Sequence, residues 1–153
     1  MPKCPYCYSN IKQNNQNFYC SFCNMNVEIK NRKSSYFLRG SVDWVDANKS
    51  TKDLMEYHTF DLLLLLRFCR QERRSTYNLM SFVGRFRFEN KENAESYKEA
   101  YRQYDYWTKK VRIAESLIKS RIGTIPKAVT NQLIEKYYLL FQDLNDENER
   151  KYA

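Results

Sequence analysis

Four cysteines stand at Cys4, Cys7, Cys20 and Cys23, in the spacing C-x2-C-x12-C-x2-C. Thiolates are the ligands that tetrahedral zinc takes at about 2.3 Å. A C-x2-C turn sets two sulfurs on one side of a metal, because the turn's backbone amides point back at them. Two such turns on a short hairpin close the tetrahedron. The chemistry expected is one structural Zn2+. Four Cys ligands leave no open position for water or substrate, whereas a catalytic zinc keeps one and usually takes His. The single histidine, His58, lies far along the chain and reads as a helix-end or surface residue. The fifth cysteine, Cys69, follows Cys23 by 46 residues, inside an apolar stretch.

Other uses of these cysteines fit less well. Cys4-Pro5-Tyr6-Cys7 has the form of a glutaredoxin dithiol, but that motif needs a strand before it and a helix after it. Here three residues precede it and Tyr8-Ser9-Asn10 reads as a turn. Iron in two rubredoxin-type knuckles usually goes with Gly after the second Cys, where this chain has Tyr8 and Asn24. Disulfides would suit a secreted protein, and no charged-then-apolar signal pattern opens the chain. On Cys4-Pro5-Tyr6-Cys7 and Phe18-Tyr19-Cys20-Ser21-Phe22-Cys23, residues 1–30 resemble the zinc-ribbon superfamily. The resemblance covers about a fifth of the chain and implies a fold and a metal. It also implies docking onto nucleic acid or nucleoprotein machines, which zinc ribbons of transcription factors, polymerase subunits, primases, ribosomal proteins and phage regulators share.

Beyond the cysteines, three groups of side chains could do chemistry. Asp43, Asp46, Asp53, Glu56 and Asp61 sit close in sequence, as in the acidic clusters of two-metal nucleases. They also suit helix caps and first turns. Arg67, Arg70 and Arg74 fall within about 60° on a helix. That stripe reads as a solvated helix end, a phosphate-binding face or a dock for an acidic protein surface. Arg85-Phe86-Arg87-Phe88 alternates cations with rings, which suits single-stranded nucleic acid, although such Phe side chains more often fill a core. Lys3, Lys12, Lys30, Arg32 and Lys33 add a basic N-terminal set.

The elements that must position these groups follow from periodicity. Residues 1–30 form the ribbon, with a polar hairpin tip over Asn10–Asn17 and short strands around Phe18-Tyr19 and Val27/Ile29. So small a unit depends on its metal to fold. Residues 31–42 are a basic linker, and 43–58 hold a short helix capped by Ser50 or Thr51. Thr59 caps a helix from Phe60 to about Arg74 or on to Phe82, with Gly84 as its end. Its run Leu62–Leu66 is apolar on all sides, as in a central, buried helix. Asn90 caps the longest helix, Lys91 to Ile122. Tyr97, Ala100, Tyr104, Trp107, Val111, Ala114, Ile118 and Ile122 recur there in steps of three and four, and Gly123 and Pro126 stop it. A last helix runs from about Lys127 to Leu144, its apolar face carrying Val129, Leu133, Ile134, Tyr137, Leu140 and Phe141. The short connection predicts that these last two helices pack antiparallel. Residues 146–153 read as a frayed tail. The fold class is therefore mainly α: a small N-terminal Cys4 zinc ribbon on a β-hairpin, then a helical domain (43–145) of three or four helices with a long antiparallel helical hairpin.

Composition narrows the function. With 153 residues, 42% apolar and 29% charged, the chain can bury one core. Three isolated glycines exclude Gly-rich phosphate loops. The longest apolar run, Leu62–Leu66, is far short of the ~20 residues of a membrane span, and a cytoplasmic location is expected. The net charge is +8, with six basic residues against one acidic in 1–40. Thirteen Tyr and nine Phe suit both a core and an interface. Asn, Lys, Tyr, Ile and Phe share AT-rich codons, which points to a low-GC bacterium, its phage or a mobile element. No nucleophile–base pair or open metal site can be written. The expectation is a non-enzymatic regulator that binds nucleic acid or a nucleoprotein machine. The alternative is an inhibitor or adaptor whose helical domain binds a host protein complex, such as RNA polymerase or a defence system. No membrane or small-molecule substrate is expected.

Overall fold

The structure, a computed structural model, describes residues 2–3, 9–15, 17–21, 25–27 and 38–152; for residue 14 and for 142–152 it describes the backbone alone. The N-terminal part is a three-stranded antiparallel sheet in the order β1 (Lys12–Asn14), β2 (Asn17–Cys20), β3 (Met25–Val27). Lys12 pairs with Tyr19, and Cys20 with Met25. The amide-rich segment expected to be all hairpin tip instead supplies β1. In the turn after β1, Asn15 has a φ of 56°, the left-handed conformation that Asn tolerates. Ahead of β1, Lys3 bridges Asn10 and the Ile11 amide donates to the Pro2 carbonyl at 3.1 Å.

Residues 43–58 hold two single turns rather than one helix, because two caps compete. Asp43 and Asp46 form a reciprocal capping box on α1 (Trp44–Ala47), and Ser50 restarts the chain as the cap of α2 (Thr51–Leu54). Three long helices follow: α3 (Thr59–Gly84), α4 (Lys91–Ile122) and α5 (Asn131–Tyr152). Asn90 caps α4, accepting from the Asn93 amide at 2.8 Å, and Gly123 ends it in the left-handed conformation at φ 81°. The cap of α3 is His58, whose side chain accepts from the Phe60 amide at 3.0 Å. The last helix starts later than its apolar pattern suggests, since Thr130 Oγ1 accepts from the Leu133 amide at 3.2 Å and fixes the first turn. Its backbone stays helical to Tyr152, through the segment read as a frayed tail.

The long hairpin is α3 with α4, not α4 with α5. Contacts run antiparallel along it: Thr59 with Arg121, Phe68 with Trp107, Tyr77 with Tyr104, and Gly84 against Tyr97. The physical reason lies in volume. The all-round apolar turns of α3 offer more surface than the stripe of α4 can leave uncovered, so α3 becomes the central helix. Leu62, Leu63, Leu65, Leu66 and Cys69 bury against Trp107, Val111, Ala114 and Ile118, with Ala47, Leu54, Tyr57 and Val129 closing the cluster. Such burial stabilises at roughly 25 cal/mol per Å² of apolar surface. The last helix lies across the root of the hairpin through Leu133, Ile134 and Tyr137. A second cluster joins the sheet to the helices: Ile11, Cys20 and Val27 pack with Phe60 and Phe141. Among the described residues no helix is long and apolar enough to cross a membrane.

Candidate functional site

Of the three arginines expected to share a face, two are drawn into the fold. Arg67 donates to Asn131 Oδ1 at 2.8 Å. Arg70 donates to the Pro126 and Lys127 carbonyls at 2.9 and 3.1 Å and pairs with Glu115 at 3.1 Å. Together they tie the α4–α5 connection onto α3, which has few apolar residues of its own there. Arg74 is exposed, and Arg73 beside it is half-buried. Neither makes an ion pair among the described residues. Both line a groove of about 580 Å³ with Arg70, Tyr77, Tyr104, Glu115 and Lys127. Four cations thus face one carboxylate, which Arg70 already holds. Tyr77 and Tyr104 meet across the hairpin with ring centroids 5.6 Å apart, tilted by 55°. Sequence reasoning marks neither Arg73 nor Tyr77, and gives Tyr104 only a place on the apolar stripe of α4 and Lys127 only a helix start. The cue was present in the i, i+3, i+4, i+7 series Arg70, Arg73, Arg74, Tyr77.

The tip of the hairpin behaves differently from its sequence expectation. Arg87 closes the end of α3, donating to the Gly84 carbonyl at 2.7 Å and lying over the rings of Phe88 at 4.6 Å and Tyr97 at 5.1 Å. Arg85 is exposed. Phe86 and Phe88, which sequence reasoning favours as core, are exposed, Phe88 by 88%. Leu79 and Phe82 are exposed beside them, and Phe82 meets Phe86 edge-on at 5.8 Å. The core takes fewer rings than composition suggests, because among the described residues nothing packs on the outer face of this half of the hairpin.

Of the N-terminal basic set, Lys3 sits half-buried at its bridge and Lys12 is exposed on β1; Lys30, Arg32 and Lys33 lie outside the described residues. Cys4, Cys7 and Cys23 lie outside them as well. Cys20, the end of β2, is fully buried in the second cluster. Around the cysteine pairs the structure describes Cys20 and some neighbouring residues. Lys3 and Asn10 stand side by side around the first pair, and Cys20 and Met25 are partners around the second. Continuing the Lys12–Tyr19 register one step sets Ile11 level with Cys20, so both flanks occupy the same end of the sheet. Cys4, Cys7, Cys20 and Cys23 would make an all-sulfur donor set, which suits zinc. Cys69 is a different case: burial pushes its thiol up to about 12, so it packs as a small apolar side chain.

The carboxylates part company. Asp43 and Asp46 cap α1, and Asp46 also accepts from the Tyr57 hydroxyl. Burial works to raise the Asp46 carboxyl, but hydrogen bonds from Tyr57 and Asp43 outweigh it and hold the group below its usual value. Asp53 sits in the first turn of α2. Asp61 is buried and accepts from the Arg39 and Gly40 amides, each at 2.9 Å; burial raises its carboxyl, those two amides opposing. Among the described residues no three His, Cys, Asp or Glu side chains gather to hold an ion. His58 is a helix end, as expected, but it is buried rather than on the surface. Its ring packs edge-on against Phe141 at 4.5 Å, and burial, with the nearby Arg121 charge, pushes it down to about 3. Compared with family models, curated proteins and solved structures, the chain matches none.

Proposed function

We propose that the protein is a non-enzymatic regulator that binds nucleic acid, with an N-terminal zinc ribbon and a phosphate-holding groove on α3. The observation that carries this is the groove itself: Arg73, Arg74 and Lys127 face one opening with no ion pair of their own among the described residues, beside two tyrosine rings. Cations that a fold does not neutralise raise the local potential for anions, and the +8 net charge adds long-range attraction. Binding should weaken steeply with salt, by about 0.7 in log K per log salt for each phosphate contact on a single strand and about 0.9 on a duplex. Replacing Arg73 and Arg74 together with Ala should reduce that slope by between one and two. An unchanged slope in a binding titration would remove the groove from the reading.

The cysteine spacing supports the same reading, because the zinc ribbons it resembles dock onto nucleic acid or nucleoprotein machines. Cys4, Cys7, Cys20 and Cys23 would hold one zinc in a closed, structural site. A Cys4→Ser/Cys7→Ser variant should lose stoichiometric zinc by elemental analysis, and one retained equivalent would show the ligand set to be wrong.

A second reading has its own support. The exposed apolar tip, Leu79, Phe82, Phe86 and Phe88, suits docking onto a protein partner, because exposed apolar surface of this kind is costly unless used. Purification from the native cell separates the two. A stoichiometric protein that survives nuclease treatment favours the tip, whereas nuclease-sensitive nucleic acid favours the groove.

A further inference from the structure

We infer that the groove takes a single strand rather than a duplex, with a base stacked on Tyr77 while Arg73 and Arg74 hold its phosphates; this rests on the nucleic-acid reading above. Tyr77 is half-exposed, and among the described residues its one ring neighbour is Tyr104. It lies three and four residues after Arg74 and Arg73, so both guanidinium groups project from the same helix face as the ring. Side chains at those spacings start about 5–6 Å apart. One nucleotide can therefore give its phosphate to an arginine and its base to the ring at once. From Arg70 to Tyr77 the helix advances about 10 Å, room for about three nucleotides at duplex rise and fewer if the strand is extended.

A duplex would use this surface poorly. Its bases are stacked inside and offer no face to Tyr77, and a concave groove between α3 and the α4–α5 connection meets only its phosphate edge. Base–aromatic stacking is also indifferent to sequence, since every base has a π-face. The molecule contains its own contrast. Tyr97, Tyr101, Lys98 and Arg102 line a second hollow of about 360 Å³ on α4. There Lys98 pairs with Glu95 at 3.6 Å and Arg102 with Glu99 at 3.0 Å. The same residue types are present, but their charge is spent within the helix. Of these two hollows, the groove at Tyr77 is the one where Arg73, Arg74 and Lys127 make no ion pair among the described residues.

The test is fluorescence anisotropy on the full-length, zinc-loaded protein. The probes are a twelve-nucleotide oligo-dT strand and a twelve-base-pair duplex of mixed sequence. The strand should bind at least tenfold more tightly than the duplex at equal salt. Tyr77→Leu should weaken strand binding roughly five- to hundredfold, the range of one stacked base, with its salt slope unchanged. Tyr77→Phe should stay within twofold, and Tyr101→Leu should match the parent. Equal affinity for strand and duplex, or a Tyr77→Leu variant that binds as the parent does, overturns the stacked strand; salt-dependent binding lost in the Arg73/Arg74 variant would then leave the groove reading intact. No binding of either probe at low salt overturns both.

Discussion

The two ends of the α3–α4 hairpin are made from the same two helices and are built in opposite ways. At the root, α3 buries five large or medium side chains from Leu62 to Cys69 against Trp107, Val111, Ala114 and Ile118. Toward the tip the buried residues are Gly84 and Ala100. A Cβ added at Gly84 would come within 3.1 Å of Tyr97 Cε2, so the helices approach closely there, yet they bury little. Stability concentrates where volume is buried, and the tip is carried by the root. Apart from Arg87 and Tyr97, which close the end of α3, the outer half leaves Arg74, Leu79, Phe82, Phe86 and Phe88 exposed and available for binding.

That contrast can be broken by mutation, beginning with the core. Trp107→Ala should cost about 3–5 kcal/mol in urea or thermal unfolding, the usual range for deleting a buried aromatic. A loss below about 1 kcal/mol would mean the root is not the stabilising end. Next comes Arg121, whose Nη2 donates to the Met55 carbonyl at 2.6 Å and whose Nη1 donates to the Tyr57 carbonyl. Arg121→Met should cost about 2–4 kcal/mol, because charge-assisted bonds are lost and buried carbonyls are left without their donors.

A smaller effect should appear with pH. His58 is held near 3 in the folded chain but returns to about 6.5 when unfolded, so below pH 6.5 the unfolded state binds the extra proton. Stability is full above that value and falls as pH is lowered toward the folded value. The loss should be about 1–2 kcal/mol between pH 6.5 and pH 5. His58→Asn keeps a cap acceptor and cannot titrate. Its unfolding free energy should lack this component, and a variant with the parent's full pH slope would assign the slope elsewhere. Least affected should be Phe82→Ser and Phe88→Ser at the tip, each within about 0.5 kcal/mol of the parent. A large loss from either would mean that the tip, too, contributes to folding.

Much of this architecture can be read from residue pattern, and its limits have physical causes. The bounds of α4, Lys91–Ile122, follow from Asn90, Gly123 and an unbroken stripe between them. The burial of Leu62, Leu63, Leu65 and Leu66, with Leu64 half-buried, follows from the run's having no polar side. Which helices pair does not follow, because all three carry apolar stripes and the choice depends on total surface rather than on loop length. The angular arc gathers Arg67, Arg70 and Arg74 on one side of α3, but only Arg70 and Arg74 line the groove. It cannot tell that two of them are spent on Asn131, Glu115 and the carbonyls of Pro126 and Lys127. Arg73 falls outside that arc, and Lys127 comes from a connection whose path is set by tertiary packing. His58 misleads in the same way: a lone polar residue before a helix looks solvated until α5 lays Phe141 over it.

The helix α4 runs 32 residues, about 48 Å, with no Gly or Pro inside it. It spans both ends of the hairpin without a joint, and α3 is equally unbroken up to Gly84. Groove and tip are therefore marks on one stiff rod, about 15 Å apart from Arg74 to Gly84. A body that grips both must carry its own two contacts at that separation, so the hairpin acts as a gauge of fixed length. Inserting a single helical residue between Arg74 and Phe82 would lengthen the gauge by about 1.5 Å and turn one mark about 100° from the other.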